Sequence, residues 1–177
     1  MIQLDTSWLQ HVQKPARYTG GEYNSIVKDH STVDVTMALG FPDVYEVAMS
    51  HLGIKILYGL VNRREDAVAE RVFAPWHDME EEMRKRNIPL FSLETRTPIK
   101  DFDVLAFTLQ YEMSFTNILN MLDLAGIPMY AKERDLDFPL LVCGGPCAYN
   151  VEPIADFFDI VSLGESEEWG DEFIDLF

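Results

Sequence analysis

Five segments of the sequence combine chemically useful side chains with turn residues, and each follows a short apolar run. If those runs are parallel strands, the segments meet at the carboxyl edge of one sheet, where open α/β folds bind ligands. The side chains concerned are Tyr45 and Glu46; Trp76, His77 and Asp78; Gln110, Tyr111 and Glu112; Gly144 and Gly145; and Gly164 and Glu165. Carboxylates and aromatic rings predominate and no lysine or arginine is present, so we do not expect a site for a free phosphate.

Several kinds of chemistry lack their usual motifs. Neither a G-x-x-x-x-G-K-[ST] loop nor a G-x-G-x-x-G loop is present, which argues against nucleotide hydrolysis and dinucleotide redox chemistry. The four histidines show no i, i+4 pair, and none is placed to activate Cys143. Cys143 and Cys147 have the first spacing of an iron–sulfur CxxxCxxC motif, but Asn150 occupies the third position. The sequence therefore assigns no catalytic and no metal-ligating residue.

Two apolar runs that end in glycine organise the C-terminal part of the chain. Leu140 to Cys143 precedes Gly144-Gly145, and Ile160 to Leu163 precedes Gly164. Continuous apolar runs are typical of strands that are buried on both faces of a parallel sheet. The glycines allow a sharp exit and a close approach to the backbone. The alternative interpretation is a pair of tight turns without a ligand.

The remaining pattern predicts alternating strands and helices. Right-handed crossovers then give a parallel sheet with helices on both faces. We predict an α/β fold with three layers, a Rossmann- or flavodoxin-like sheet of about five strands in the order 2-1-3-4-5. The predicted strands are 33–39, 69–73, 103–108, 140–143 and 160–163, with a short edge strand at 90–93. The predicted helices are 47–63, one capped by Asp78 and closed by Asn87, one capped by Ser114 and ended by Gly126, and 171–177. Residues 1–32 do not read as a sheet unit and are interpreted as an N-terminal arm, with the sheet domain over 33–177.

Composition and charge limit the partners. The 177-residue chain has a formal net charge of −16, and residues 135–177 contain 11 acidic residues and no basic one. Such a surface repels phosphate backbones, so we expect no direct binding of nucleic acid. No apolar stretch is long enough to span a membrane, and no signal peptide is recognisable. We expect a cytoplasmic protein whose two cysteines are free thiols.

Short motifs along nearly the whole chain form a recognisable set. They are Lys14-Pro15-Ala16-Arg17-Tyr18 with Gly21-Glu22, Phe41-Pro42-Asp43-x-Tyr45-Glu46-x-x-Met49-Ser50-His51-Leu52-Gly53, Thr108-Leu109-Gln110-Tyr111-Glu112, Gly144-Gly145-Pro146 and Gly164-Glu165-x-Glu167. Together they resemble the N-terminal cobalamin-binding-like domain of a radical S-adenosylmethionine (radical SAM) protein family.

The resemblance implies a Rossmann-like domain that precedes a catalytic barrel. In such proteins the barrel carries the CxxxCxxC motif, a [4Fe-4S] cluster and S-adenosylmethionine. This sequence lacks that barrel, so the resemblance implies a domain fragment that is not catalytic alone, with the barrel of the same full-length enzyme as its partner. It leaves homo-oligomerisation open.

The resemblance also implies which residues would contact a corrinoid. These residues are Tyr45, Glu46, Ser50, His51, Thr108, Gln110, Glu112, Gly144, Gly145, Pro146, Gly164 and Glu165. Thr108 and Gln110 would lie near the nucleotide tail, with Gly144 and Gly145 as its glycine pair. Cobalamin domains that use a histidine as the lower cobalt ligand carry Asp-x-His-x-x-Gly. Around His51 the corresponding residues are Met49 and, one position early, Gly53, so cobalamin would bind base-on or without a histidine ligand.

Three functional hypotheses follow from the sequence. The first is the corrinoid-binding domain of a radical SAM protein. The second is the same domain without a cofactor, serving as an interaction or substrate-positioning module. The third is a receiver-like signalling domain, which we rank last because position 108 is a threonine and the fifth strand ends at Gly164.

Overall fold

The computed structural model describes residues 6–177 and contains one five-stranded, all-parallel sheet. The strands are β1 (Val35–Phe41), β2 (Ala67–Phe73), β3 (Val104–Thr108), β4 (Leu140–Gly144) and β5 (Ile160–Val161). Their order is β2-β1-β3-β4-β5. The predicted fold class and strand order are therefore confirmed. The first five residues of the predicted arm lie outside the described part of the chain.

Helices cover both faces of the sheet, so the central strands are buried. The helices are α1 (Tyr45–Ser50), α2 (Leu52–Asn62), α3 (His77–Arg86), α4 (Phe115–Ala125) and α5 (Ser166–Leu176). One core cluster contains side chains of α3 and α4, among them Met79 and Ile118. The other contains side chains of α1, α2 and α5, among them Ile54 and Ile174. All seven positions of β1 are buried, which explains its continuous apolar sequence.

The single helix predicted over residues 47–63 is wrong, because the chain breaks at His51. This residue has an extended backbone and separates α1 from α2. The imidazole folds back over Gly53, where a Cβ atom would lie 2.9 Å from its Cε1 atom. Apolar spacing continues through the break, so periodicity alone could not reveal it. The break places the His51 side chain at the carboxyl edge of the sheet.

Other local predictions need smaller corrections. Asp78 lies in the first turn of α3, and Trp76 occupies the N-cap position. Residues 90–93 form no strand of the sheet, since Phe91 makes only an isolated bridge to Pro98. β5 contains two residues, and α5 begins five residues earlier than predicted because a polar, glycine-containing first turn hid its start. Asn87 and Gly126 do end α3 and α4 in the left-handed conformation.

The described part of the N-terminal arm packs on the sheet domain. Trp8, Leu9 and Val12 are buried in the same core cluster as α3 and α4. Further along, Lys28 Nζ donates to three backbone carbonyl oxygens at the end of α2 and the start of β2. The arm is therefore an integral layer along the β2 side of the domain.

Candidate functional site

A cavity of about 270 Å³ lies between the sheet and helices α2 and α5, at the carboxyl edge of the strands. Its walls are mostly apolar. Met37, Leu39 and Val142 contribute from the sheet, and Leu57 and Trp169 contribute from the helices. Arg64, which follows the C-terminal end of α2, forms ion pairs with Asp171 and Asp175 of α5. The result is a slot that can accept a flat, apolar group.

The Gly144-Gly145 turn forms one wall of this slot. Gly145 has φ 103°, and a Cβ atom there would lie 3.0 Å from the carbonyl oxygen of Leu109. The Leu109 amide donates to the Gly144 carbonyl oxygen at 2.7 Å, and the Cys147 amide donates to the Leu109 carbonyl oxygen at 3.0 Å. Only glycine fits this backbone and leaves the adjacent space open.

Three polar side chains form a directional hydrogen-bond chain at the cavity. Gln110 Nε2 donates to Thr108 Oγ1 at 2.5 Å, which leaves Gln110 Oε1 to accept from His51 Nε2 at 3.1 Å. His51 Nε2 therefore carries the proton in this arrangement, which is assigned from the hydrogen-bond network. His51 Nδ1 is buried and has no partner among the described residues. The chain orients the His51 ring, which lies against Phe41 and Gly53.

Ser162 is a cavity residue that the sequence reasoning missed. It is 8% exposed and follows β5, where its amide donates to the Cys143 carbonyl oxygen at 2.7 Å. Its Oγ atom would lie 4.0 Å from a Cβ atom at Gly144. The only sequence signal was its position as the one polar residue in the apolar run before Gly164.

The mouth of the cavity carries negative charge. Glu165 and Glu167 lie there, at the start of α5, where the helix dipole favours carboxylates. None of the described residues that line the cavity is a lysine or arginine. The slot is therefore better suited to a neutral or cationic group than to a free anion.

A comparison with known protein families decides the relationship. The family model for the N-terminal region of radical SAM proteins matches residues 53–177. This chain is a radical SAM N-terminal domain. The uncharacterized protein MJ0966 of Methanocaldococcus jannaschii is 27% identical over 134 residues, which cover 74% of this chain. The match covers 24% of that protein, so the chain spans about a quarter of the length of the curated relative it matches.

Seven of the predicted site residues of this radical SAM N-terminal domain line the cavity. They are His51, Thr108, Gln110, Gly144, Gly145, Gly164 and Glu165. Six of them belong to the ends and exits of β3, β4 and β5, and His51 lies between α1 and α2. The common placement agrees with their proposed role, although contact with a ligand stays a prediction.

The other predicted site residues lie outside the cavity. Tyr45 donates to Glu22 Oε1, and Ser50 donates to the Val47 carbonyl oxygen. Glu112 begins a short 3₁₀ helix over Glu112–Ser114, and Pro146 begins another over Pro146–Asn150. Glu46 accepts from Lys14 Nζ at 2.8 Å and from Arg17 at 3.0 Å. These two cations lower the pKa of Glu46 to about 2.

The predicted exit after β2 is also covered by the arm. The Tyr18 hydroxyl accepts from the Trp76 amide at 3.1 Å, and the Arg17 guanidinium lies 5.6 Å from the centre of the Trp76 ring. The expectation that all five exits share one crevice is therefore wrong. Tyr18 is 58 residues from Trp76 in the sequence, so inspection of the exits alone could not find this contact.

Both cysteines are free thiols, as predicted. Cys143 is buried beside the cavity, and burial raises the pKa of its thiol to about 12. Partial burial, followed by the charge of Glu112, raises the pKa of the Cys147 thiol. At neutral pH both groups are protonated and are poor nucleophiles.

Two further properties concern the described residues as a whole. In residues 6–177, no group of three or more His, Cys, Asp or Glu side chains is arranged to hold a metal ion. Over the same residues, no helix has both the length and the apolar character needed to cross a membrane.

Proposed function

We propose that this radical SAM N-terminal domain binds a corrinoid in the cavity between the sheet, α2 and α5. The observation that supports this most directly is the combination of the glycine turn at Gly145 with a mostly apolar slot beside it. When its base is not bonded to cobalt, a corrinoid presents a flat, neutral ring at the end of its nucleotide tail, and a mostly apolar slot suits such a group.

The residues that would hold the corrinoid follow from their positions. Thr108 and Ser162 offer hydroxyl groups, Gly144 and Gly145 admit the tail, and the helix side chains Leu57, Trp169 and Phe173 enclose it. His51 is engaged by Gln110 through Nε2, so the geometry favours a role in orienting that glutamine over a role as a free cobalt ligand. When bound, a corrinoid supplies a cobalt centre that can carry an alkyl group.

The whole protein's activity is a wider proposal. Membership of the family suggests a following catalytic region with a [4Fe-4S] cluster and S-adenosylmethionine. This chain contributes no residue to radical chemistry in the proposal. Its role is to hold the corrinoid at the carboxyl edge for that catalytic region.

Docking without a cofactor is the second candidate, and one observation favours it. Several large apolar side chains are exposed around the carboxyl edge. They include Met113, Tyr149 and Leu163, which are 85%, 76% and 63% exposed. Such a rim suits contact with the rest of the same protein, and it is compatible with a corrinoid held between the two parts.

Titration of the folded chain with hydroxocobalamin tests the proposed function. We expect a corrinoid absorbance spectrum to remain after desalting, and we expect Gly145→Arg to remove it because a side chain there would displace the Leu109 backbone and the Thr108 hydroxyl from the cavity wall. Gly21→Arg is the matched control, since Gly21 also has a positive φ but has open space around its Cα. No retained corrinoid on folded wild-type protein would leave docking as the better account.

A further inference from the structure

Ser162 offers a hydroxyl group that the fold itself does not use. The residue is more than nine-tenths buried and lines the cavity. Its amide is bonded to Cys143, but no described residue forms a hydrogen bond with its side-chain oxygen. The Oγ atom is open to the cavity, so a ligand there can supply the partner that the fold does not provide.

Thr108 provides a second hydroxyl with its hydrogen available. Its oxygen already accepts from Gln110 Nε2, so the hydroxyl hydrogen is free to donate. Thr108 Oγ1 would lie 3.2 Å from a Cβ atom at Gly145, and Ser162 Oγ would lie 4.0 Å from one at Gly144. The two donors therefore flank the glycine pair, one on each side of the space that it leaves open.

The surroundings limit which acceptor these hydroxyls can meet. The described lining contains no lysine or arginine, and the mouth carries Glu165 and Glu167. An anionic oxygen would be repelled there and would lack a counter-ion. Trp169 and Phe173 stack on each other with ring centres 4.7 Å apart and give the slot an aromatic wall. A neutral acceptor within a flat ring needs no counter-ion, is not repelled by the two glutamates, and can pack against the aromatic wall.

We propose that Ser162 is a specificity-determining residue that donates a hydrogen bond to a neutral ring nitrogen of the bound group. This inference rests on the proposed function, because the base of a corrinoid tail presents such a nitrogen when it is not bonded to cobalt. The slot then discriminates between bases of the same shape according to the presence of that acceptor. Shape and apolar burial provide most of the affinity, while Ser162 provides the preference for bases that carry the nitrogen acceptor.

Two ring compounds that differ at one atom isolate this contact. 1-Methylbenzimidazole carries an unsubstituted ring nitrogen, whereas 1-methylindole has a C–H group at that position, and neither has an N–H donor. Calorimetric titration at pH 8 keeps the benzimidazole neutral. We expect wild-type protein to bind 1-methylbenzimidazole about three- to tenfold more tightly, as one net hydrogen bond predicts. In Ser162→Ala the two affinities should become equal.

The controls separate this inference from the proposed function. Ser31→Ala makes the same change at an exposed position in the arm and should keep the wild-type preference. Equal affinities in wild-type protein, or an unchanged preference in Ser162→Ala, would overturn the role of Ser162 while leaving the slot intact. If neither compound binds to folded protein and hydroxocobalamin is not retained, both proposals are overturned.

Discussion

The two halves of the carboxyl edge use similar residue types in opposite ways. On the β2 side, the arm closes the strand exit: Arg17 and Lys14 hold Glu46, and Tyr18 accepts from the Trp76 amide. On the β3–β5 side, Glu165 and the hydroxyl of Ser162 face a cavity with no neighbouring cation among the described lining residues. Carboxylates and aromatic rings at strand ends therefore do not define a site by themselves. The deciding property is whether another segment of the chain already forms ion pairs or hydrogen bonds with these side chains.

The comparison gives each half a different expected response to mutation. Changes in the closed half should alter stability and leave ligand binding unchanged. Changes to side chains that line the open half, outside the Gly144-Gly145 turn, should alter ligand binding and leave stability nearly unchanged. The predictions below test this division, beginning with the largest expected effect.

Removal of the Trp8 ring should have the largest effect on stability. Trp8 is 4% exposed and belongs to the core cluster that joins the arm to α3 and α4. Trp8→Ala should lower the free energy of unfolding by about 3–5 kcal/mol, measured in urea, because it leaves a large cavity. Retention of hydroxocobalamin by the folded fraction should not change. The exposed Leu136→Ala should stay within about 0.5 kcal/mol of wild type.

Filling the slot should have the largest effect on binding. Ala106 lies on the sheet floor of the cavity, and Ala106→Phe would place a ring in that space. The affinity for hydroxocobalamin should fall by more than about tenfold, which corresponds to about 1.4 kcal/mol, while the melting temperature changes little. Ala16→Phe introduces the same ring at an exposed position of the arm and should bind as wild type. Full affinity in Ala106→Phe would place the ligand elsewhere.

Two glycines of α2 give a matched pair at the boundary of the open half. A Cβ atom at Gly53 would lie 2.9 Å from His51 Cε1, whereas Gly59 has no atom within 4 Å of that position. Gly59→Ala should stabilise the protein by about 0.5–1 kcal/mol through helix propensity. Gly53→Ala should show no such gain, because the His51 ring must move and its bond to Gln110 is strained. The free energies of unfolding of both variants, measured in urea, test this prediction. Equal stabilisation by the two substitutions would contradict the packing described for His51.

The ion pairs of Glu46 should give the smallest effect, which depends on pH. The folded pKa of about 2 lies below the ordinary value of 4.5, so the stabilisation is present above about pH 4.5 and is lost as the pH falls toward 2. Glu46→Gln removes the titrating group. Melting temperatures of wild type and variant should therefore differ slightly at pH 6 and converge near pH 2. A difference that persists at pH 2 would show that these ion pairs are not its source.

Much of the fold could be predicted because the signals are local. Apolar runs that end at Gly40, Gly144 and Gly164 mark three of the parallel strands, and the acid-first i, i+4 pairs of α3 mark a helix. The strand order 2-1-3-4-5 is one of the common arrangements of such a sheet, so it could be proposed from the alternation of strands and helices. These features depend on neighbours in the sequence, so a single sequence contains them.

The site could be predicted only in part because its remaining features depend on distant contacts. His51 interrupts a helix whose apolar spacing continues, since the break is stabilised by packing on Phe41 and Gly53. Glu46 reads as a free rim carboxylate until Arg17 is seen beside it. In the sequence, Ser162 belongs to an apolar run that predicts a buried strand. Only the three-dimensional structure shows that it lines the cavity next to Gly144.

Amide hydrogen exchange with and without hydroxocobalamin tests the division of the carboxyl edge most directly, because it reports on both halves of the same molecule. We predict that the corrinoid slows exchange in peptides that cover residues 144–147 and 162–170, with no change in peptides that cover 14–22. Slower exchange confined to residues 14–22, or no change in either region, would contradict the assignment of the cavity as the corrinoid site.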